Sequence, residues 1–298
     1  MERCGFLRAT VLLLGGALAG TACAPAPGPS PAASAGAGVA PSSPPDRPAA
    51  SPAPALPPAE VMAELSRLRA AFVREVAPAA ARAPAGREQD RIALAGAVLA
   101  GSGGPAAIEA PQLLVVVDRN PAVQELSVVL ARPQGQPWEV VGSARVSTGQ
   151  AGRRGSYITP VGAFAHTDAI LDWRAEGTPN ENGIRGLGSQ GMRVWDFGWQ
   201  QAVKGWRLPV AETGEIRLLL HATDPDRLEA RLGQPASQGC VRVPATVNRF
   251  LDRHGVLDAD HERAAAMDAR FRALLHPDRT PTPLAGRLLV VVDSSAGP

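Results

Sequence analysis

Gln112-Leu113-Leu114-Val115-Val116-Val117-Asp118-Arg119-Asn120-Pro121 is a compact apolar run that breaks abruptly into turn residues. β-Branched side chains are stiff at χ1 and pack well on a pleated surface, so the run reads as a strand ended by a turn. Working outward, residues 126–130 form a second strand, and residues 134–137 (Gln-Gly-Gln-Pro) a second turn. Residues 138–141 and 144–146 extend the sheet. Strands at such short intervals predict an antiparallel domain that is mainly β with a few helices. A near copy of the opening run, Arg287-Leu288-Leu289-Val290-Val291-Val292-Asp293, lies near the carboxyl end. Two copies do not make a repeat protein, and two buried strands of like composition account for them.

Upstream, Val61, Leu65, Leu68, Phe72 and Val76 fall on one helical stripe over residues 60–76, with Pro57 and Pro58 suited to its start and Pro78 to its stop. Residues 91–100 form an Ala-rich second helix ending at Gly101. This preface, residues 59–110, carries no polar cluster and reads as packing or spacing.

The 298 residues hold 30 Lys+Arg against 28 Asp+Glu, a net charge of +2 that is too balanced for a nucleic-acid groove. Arg3 and Arg8, the apolar residues 11–19 and a small-residue end give the tripartite pattern of a secretory signal over residues 1–23. The apolar run is short for a membrane span, which needs about 20 residues. Thr21-Ala22-Cys23 resembles the end of a bacterial lipobox, whose Cys carries the lipid anchor. Gly20 departs from it, and Ala17-Leu18-Ala19 offers an ordinary signal-peptidase site. Residues 24–58 are dominated by Pro, Ala, Ser and Gly and cannot bury enough apolar surface to fold. They read as a tether reaching on the order of 100 Å if extended. The chain is therefore expected in the cell envelope.

Of the three cysteines, Cys4 and Cys23 precede the tether, leaving Cys240 alone in the domain. It lies in Ser237-Gln238-Gly239-Cys240-Val241-Arg242, and His221 lies upstream in Leu219-Leu220-His221-Ala222-Thr223. A thiol attacks as thiolate, and an imidazole can take its proton, so the two are a candidate nucleophile and base. His166, His254, His261 and His276 show no metal-ligand spacing with Cys240.

Four segments in order carry a resemblance. They are Val146-Ser147-Thr148-Gly149, Thr159-Pro160-Val161-Gly162-Ala163-Phe164, Leu220-His221-Ala222-Thr223 and Ser237-Gln238-Gly239-Cys240-Val241-Arg242-Val243. Their content and order resemble the L,D-transpeptidase (YkuD-type) catalytic domain, over about residues 112–250. The 15 residues between His221 and Ser237 fall within that family's window. The resemblance implies a β-sandwich-type catalytic domain over residues 111–293, with an extension at 256–283 and a last strand within 284–293.

It also implies roles. Cys240 would attack a peptidoglycan tetrapeptide stem at the bond between an L-configured centre and the terminal D-Ala, with His221 as base and then acid. The Ala222 carbonyl would orient His221. Gly239 would allow the sharp turn before the nucleophile, and main-chain N–H groups around Ser237, Gly239 and Cys240 would form the oxyanion hole. Arg242 would meet a substrate carboxylate. Gln238 stands where the family usually has His, and Gln carries no proton at neutral pH. No metal or organic cofactor is implied. The product would be a cross-link to a second stem or an attached protein. The rival readings are a hydrolase on the same scaffold and a non-catalytic wall-binding domain.

Three further expectations concern the surroundings. Pro244 opens a helix faced by Val247, Phe250 and Leu251 and closed by His254-Gly255, so Cys240 would feel the positive end of its dipole. Trp173, Trp195, Trp199 and Trp206 read mostly as core. The glycine-rich residues 180–191 form a loop suited to capping the site.

Overall fold

The computed structural model describes residues 56–76, 78, 87–101, 108–133 and 135–295. The expected signal, Cys23 and the expected tether through residue 55 lie outside them. Among the described residues the chain is mainly β, with two sheets and five α-helices. Strands β1 (Gln112–Asp118), β2 (Glu125–Ala131), β3 (Glu139–Arg145), β4 (Gly162–Ala165) and β9 (Leu288–Val292) form one sheet in the order β3-β2-β1-β9-β4. Strands β5 (Trp173–Arg174), β6 (Arg193–Val203), β7 (Thr213–Ala222) and β8 (Val241–Val243) form the other, in the order β5-β6-β7-β8.

The opening run is β1, and it is apolar on both faces because both are covered. Leu113, Val115 and Val117 enter the core between the sheets. Leu114 and Val116 turn to the other side, beneath helix α2 (Glu88–Gly101) with its Ile92, Ala95, Val98 and Leu99. The near copy is β9, and it lies directly beside β1. The two pair in parallel, Leu114 with Leu288 and Val116 with Val290. β7 and β8 also pair in parallel. The sheets are therefore mixed, not antiparallel throughout as the short strand spacing predicted. Strands far apart in sequence, such as β1 and β9, are not joined by a hairpin turn, so nothing local holds them antiparallel.

The two upstream helices belong to the same packing. Helix α1 (Pro58–Glu75) buries Val61, Leu65, Leu68, Ala71 and Phe72 in the core shared by both sheets. The Phe72 ring meets Phe250 edge-on at 5.1 Å. Helix α3 (Ala245–His254) contributes Val247, Phe250 and Leu251 and ends at Gly255, whose φ of 59° is the left-handed cap expected there. Pro244 takes its N-cap position. Residues 256–283 carry α4 (Ala259–Ala265) and α5 (Ala269–Leu274). No helix among the described residues is long and apolar enough to cross a membrane.

The tryptophans divide. Trp195 is fully buried in the core, whereas Trp199 is 63 % exposed. Trp206 packs edge-on against Tyr157 at 5.3 Å. The expectation that core packing explains the group fails for Trp199.

Candidate active site

β7 delivers His221. Leu218 and Leu220 face the core, so alternation turns Arg217, Leu219 and His221 to the other face. β8 runs parallel beside it, with Val241 opposite Leu220 and Arg242 opposite His221. Val241 and Val243 are core residues, which places Arg242 and, one step before the strand, Cys240 on the His221 face. The thiol lies against the β7 main chain, 3.8 Å from the Arg217 carbonyl.

The Cys240 turn is tightly specified. Ser237 Oγ donates to the Cys240 carbonyl at 2.6 Å and accepts the Gly239 N–H at 3.0 Å. Gly239 has φ 131°, a backbone conformation that a residue with a side chain adopts only under strain. Thr159 Oγ1 donates to the Gly239 carbonyl at 2.7 Å and accepts the Gly149 N–H at 2.8 Å. Gly149 has no room for a Cβ, which would overlap the Tyr157 carbonyl. Ser147 bridges Arg242, and Gly149 bridges Ser237. The structure thus brings together all four segments singled out in the sequence.

His221 is 3 % exposed, and its Nδ1 lies 2.7 Å from the Ala222 carbonyl. A carbonyl only accepts, so Nδ1 carries the proton and Nε2 keeps its lone pair. Burial, with the Arg242 charge adding to it and the Ala222 bond opposing, lowers the His221 pKa to about 4. Burial also pushes the Cys240 thiol up, against the pull of the Leu219 main chain and Arg242. At neutral pH Cys240 therefore rests as a thiol and His221 as a neutral imidazole.

The dipole expectation is corrected. The three residues of β8 stand between Cys240 and α3, roughly 10 Å of strand, and a helix terminus acts within its own first turn.

Arg242 is half-buried. Its Nη1 donates to the Ala236 carbonyl at 3.3 Å, and its buried Nε has no partner. Among the described residues it forms no ion pair. A half-buried guanidinium without an acid is costly unless a ligand supplies one. Gln238 is exposed; its carbonyl accepts the Tyr157 N–H at 3.2 Å. With the Gly239 N–H committed to Ser237, the main-chain N–H groups of Gln238 and Cys240 are the donors at this turn without a hydrogen-bond partner among the described residues.

The glycine-rich loop packs beside this face. Asp224, just after β7, accepts the Arg185 N–H at 2.8 Å, and Leu187 joins Ala222 and Leu219 in a small apolar cluster. The main-chain bond from Arg185 holds the Asp224 carboxyl below its ordinary value.

A second polar cluster has no counterpart in the sequence reading. His166, Asp172 and His261 are buried with their ligand atoms within 4.8 Å of one another. His166 Nδ1 and Nε2 face the Leu257 carbonyl at 2.8 Å and Asp172 at 2.9 Å. Arg193 Nε donates to the same carboxylate at 2.9 Å and its Nη2 to Asp258 at 3.3 Å. Burial alone would favour neutral His166 and Asp172, but their bond outweighs it: the His166 pKa is raised and that of Asp172 lowered. The His261 ring stacks on His166 at 4.1 Å and 9°. Parallel rings aim their in-plane lone pairs side by side instead of at one point, and both His166 nitrogens are already committed. The cluster is a buried ion network that pins β6 to α3 and α4. Its members lie up to 95 positions apart in the chain, so no local spacing signals it.

In comparisons with known proteins, no family model and no curated protein sequence matches this chain.

Proposed function

We propose that the chain is a cysteine acyltransferase of the L,D-transpeptidase type, with a YkuD-like sandwich, acting on peptidoglycan stem peptides in the cell envelope. The observation that carries the reading is the placement of Cys240, His221 and Arg242 on one sheet face, with His221 held by the Ala222 carbonyl so that Nε2 is free.

The chemistry follows from that geometry. His221 Nε2 takes the thiol proton as Sγ attacks the carbonyl of the third stem residue. The Cys240 N–H supports the resulting oxyanion, an interaction worth about 3–4 kcal/mol in other enzymes. Collapse returns the proton to the departing amine, D-Ala leaves, and a thioester remains. An acceptor amine gives its proton to His221, attacks the thioester and restores the thiol. Arg242, lacking an acid of its own, meets a stem carboxylate as a planar fork. Water as the acceptor would make the same site a hydrolase.

Intact-mass analysis after exposure to a stem tetrapeptide and to a carbapenem acyl donor tests this. The expected result is one adduct on the native chain and none on Cys240→Ala. An unlabelled native chain, or equal labelling of Cys240→Ala, overturns the reading. Cross-linked dimers among the products identify a transferase, and shortened stems alone a hydrolase.

A further inference from the structure

β6 contains a bulge with a consequence for the Cys240 face. Asp196 pairs with Leu219, but the next pair is Trp199 with Arg217, so Phe197 and Gly198 together oppose the single residue Leu218. Gly198 takes φ 75°, the conformation that lets a strand absorb an extra residue. Trp195 and Phe197 point into the core, and strict alternation would send Trp199 after them. The extra residue reverses the parity. Trp199 emerges on the face of Arg217, Leu219 and His221, 63 % exposed, with no ring contact among the described residues.

Its surroundings define what it suits. Alternation places Gln201 on the same side, and Gln201 pairs with Glu215. Gln201, Glu215 and Arg217 are all exposed. Arg217 donates to Asp196 at 2.6 Å through Nε and retains further N–H donors. The register thus sets one exposed aromatic plane on the same sheet face as an amide, a carboxylate and a guanidinium. That setting matches a pyranose, whose C–H face packs on an aromatic ring while its hydroxyl and acetamido groups reach polar side chains.

We propose that Trp199 is the floor of a carbohydrate subsite that takes a sugar of the glycan bearing the acylated stem. This rests on the stem-peptide reading of the Cys240 site. The spacing agrees with it. Trp199 stands opposite the residue whose carbonyl touches the thiol, two strand widths from β8, or roughly 10 Å. Three extended residues between a sugar and the scissile carbonyl also span about 10 Å.

The test compares Cys240 acylation by a disaccharide-tetrapeptide and by the bare tetrapeptide, alongside pull-down on glycan strands stripped of stems. In the native chain the disaccharide form should half-saturate at about tenfold lower concentration, as one aromatic contact predicts. Trp199→Ala should erase that gap and weaken glycan pull-down about as much, and Trp199→Tyr should restore most of both. An undiminished gap in Trp199→Ala, or no gap in the native chain, overturns the subsite. If neither peptide acylates Cys240 while glycan pull-down still depends on Trp199, the transpeptidase reading fails and the subsite stands. If acylation proceeds but the native chain ignores stripped glycan, the subsite fails alone.

Discussion

Thr159 Oγ1 donates to the Gly239 carbonyl at 2.7 Å across 80 residues of chain, and so anchors the turn that presents Cys240. The same oxygen accepts the Gly149 N–H, which makes one buried hydroxyl the joint between three segments of the candidate site.

Thr159→Val keeps the shape and removes the hydroxyl, leaving a buried carbonyl and a buried N–H unpaired. Each such loss costs about 1–3 kcal/mol, so the midpoint in urea should fall. Acylation of Cys240 should slow in the variant even where it is fully folded, because Gly239 is no longer held. Unchanged kinetics in folded Thr159→Val would show that the turn holds itself.

The base should stay competent far into acid. With the His221 pKa at about 4, Nε2 is unprotonated above that value. The acid limb of kcat/KM for Cys240 acylation should therefore lie near pH 4 instead of near the ordinary imidazole value of about 6.5. A limb near 6.5 would mean that the buried ring is more solvated than its packing indicates.

Folding stability should fall on acidification from about 6.5 to about 4. Over that window the unfolded chain protonates His221 and His261, while the folded chain, where both are lowered to about 4, does not. The unfolded state thus binds more protons, and each ring accounts for roughly 3 kcal/mol by linkage. His166 acts in the opposite sense: its raised pKa gives a contribution fully present below about 6.5 and lost as pH rises through its folded value. Urea unfolding at pH 7 and 4.5 should show the loss, and His261→Phe should make it smaller. The same pH dependence in His261→Phe as in the native chain would refute this.

Helix α1 should prove integral to the domain. Leu68 is fully buried between the sheets' shared core and its own helix. Leu68→Ala should cost about 2–5 kcal/mol, read as a lowered urea midpoint. A shift within about 0.5 kcal/mol, typical of surface changes, would mark α1 as a detachable spacer.

Cys23→Ala should release the chain from the membrane fraction of cells expressing it, as the resemblance of Thr21-Ala22-Cys23 to a lipobox implies. Continued membrane association of the variant would exclude lipidation of Cys23 as the anchor.

Much of this architecture is legible in local sequence. The run of residues 113–117 announces a strand because alternation and β-branching are local properties, and the stripe from Val61 to Val76 announces α1 for the same reason. The turn that presents Cys240 is equally visible, since the chemistry of Ser237 and Gly239 is encoded within four residues. What local pattern does not contain is register across distant strands. The parallel pairing of β1 with β9 depends on a partner more than 170 residues away. The outward turn of Trp199 depends on two β6 residues facing one on β7, and spacing alone would have buried it. The isolation of Cys240 from the α3 terminus depends on three residues becoming a strand instead of a helix start. The Arg193, His166 and Asp172 network exists because burial forces charges from separate segments to neutralise one another. Local sequence supplies the groups themselves: Cys240 at the end of a turn, with Arg242 two residues on and His221 19 residues before it. Tertiary structure alone decided which face they share, what protonation state burial imposes on them and which aromatic ring lies beside them, because each is a property of contacts between segments.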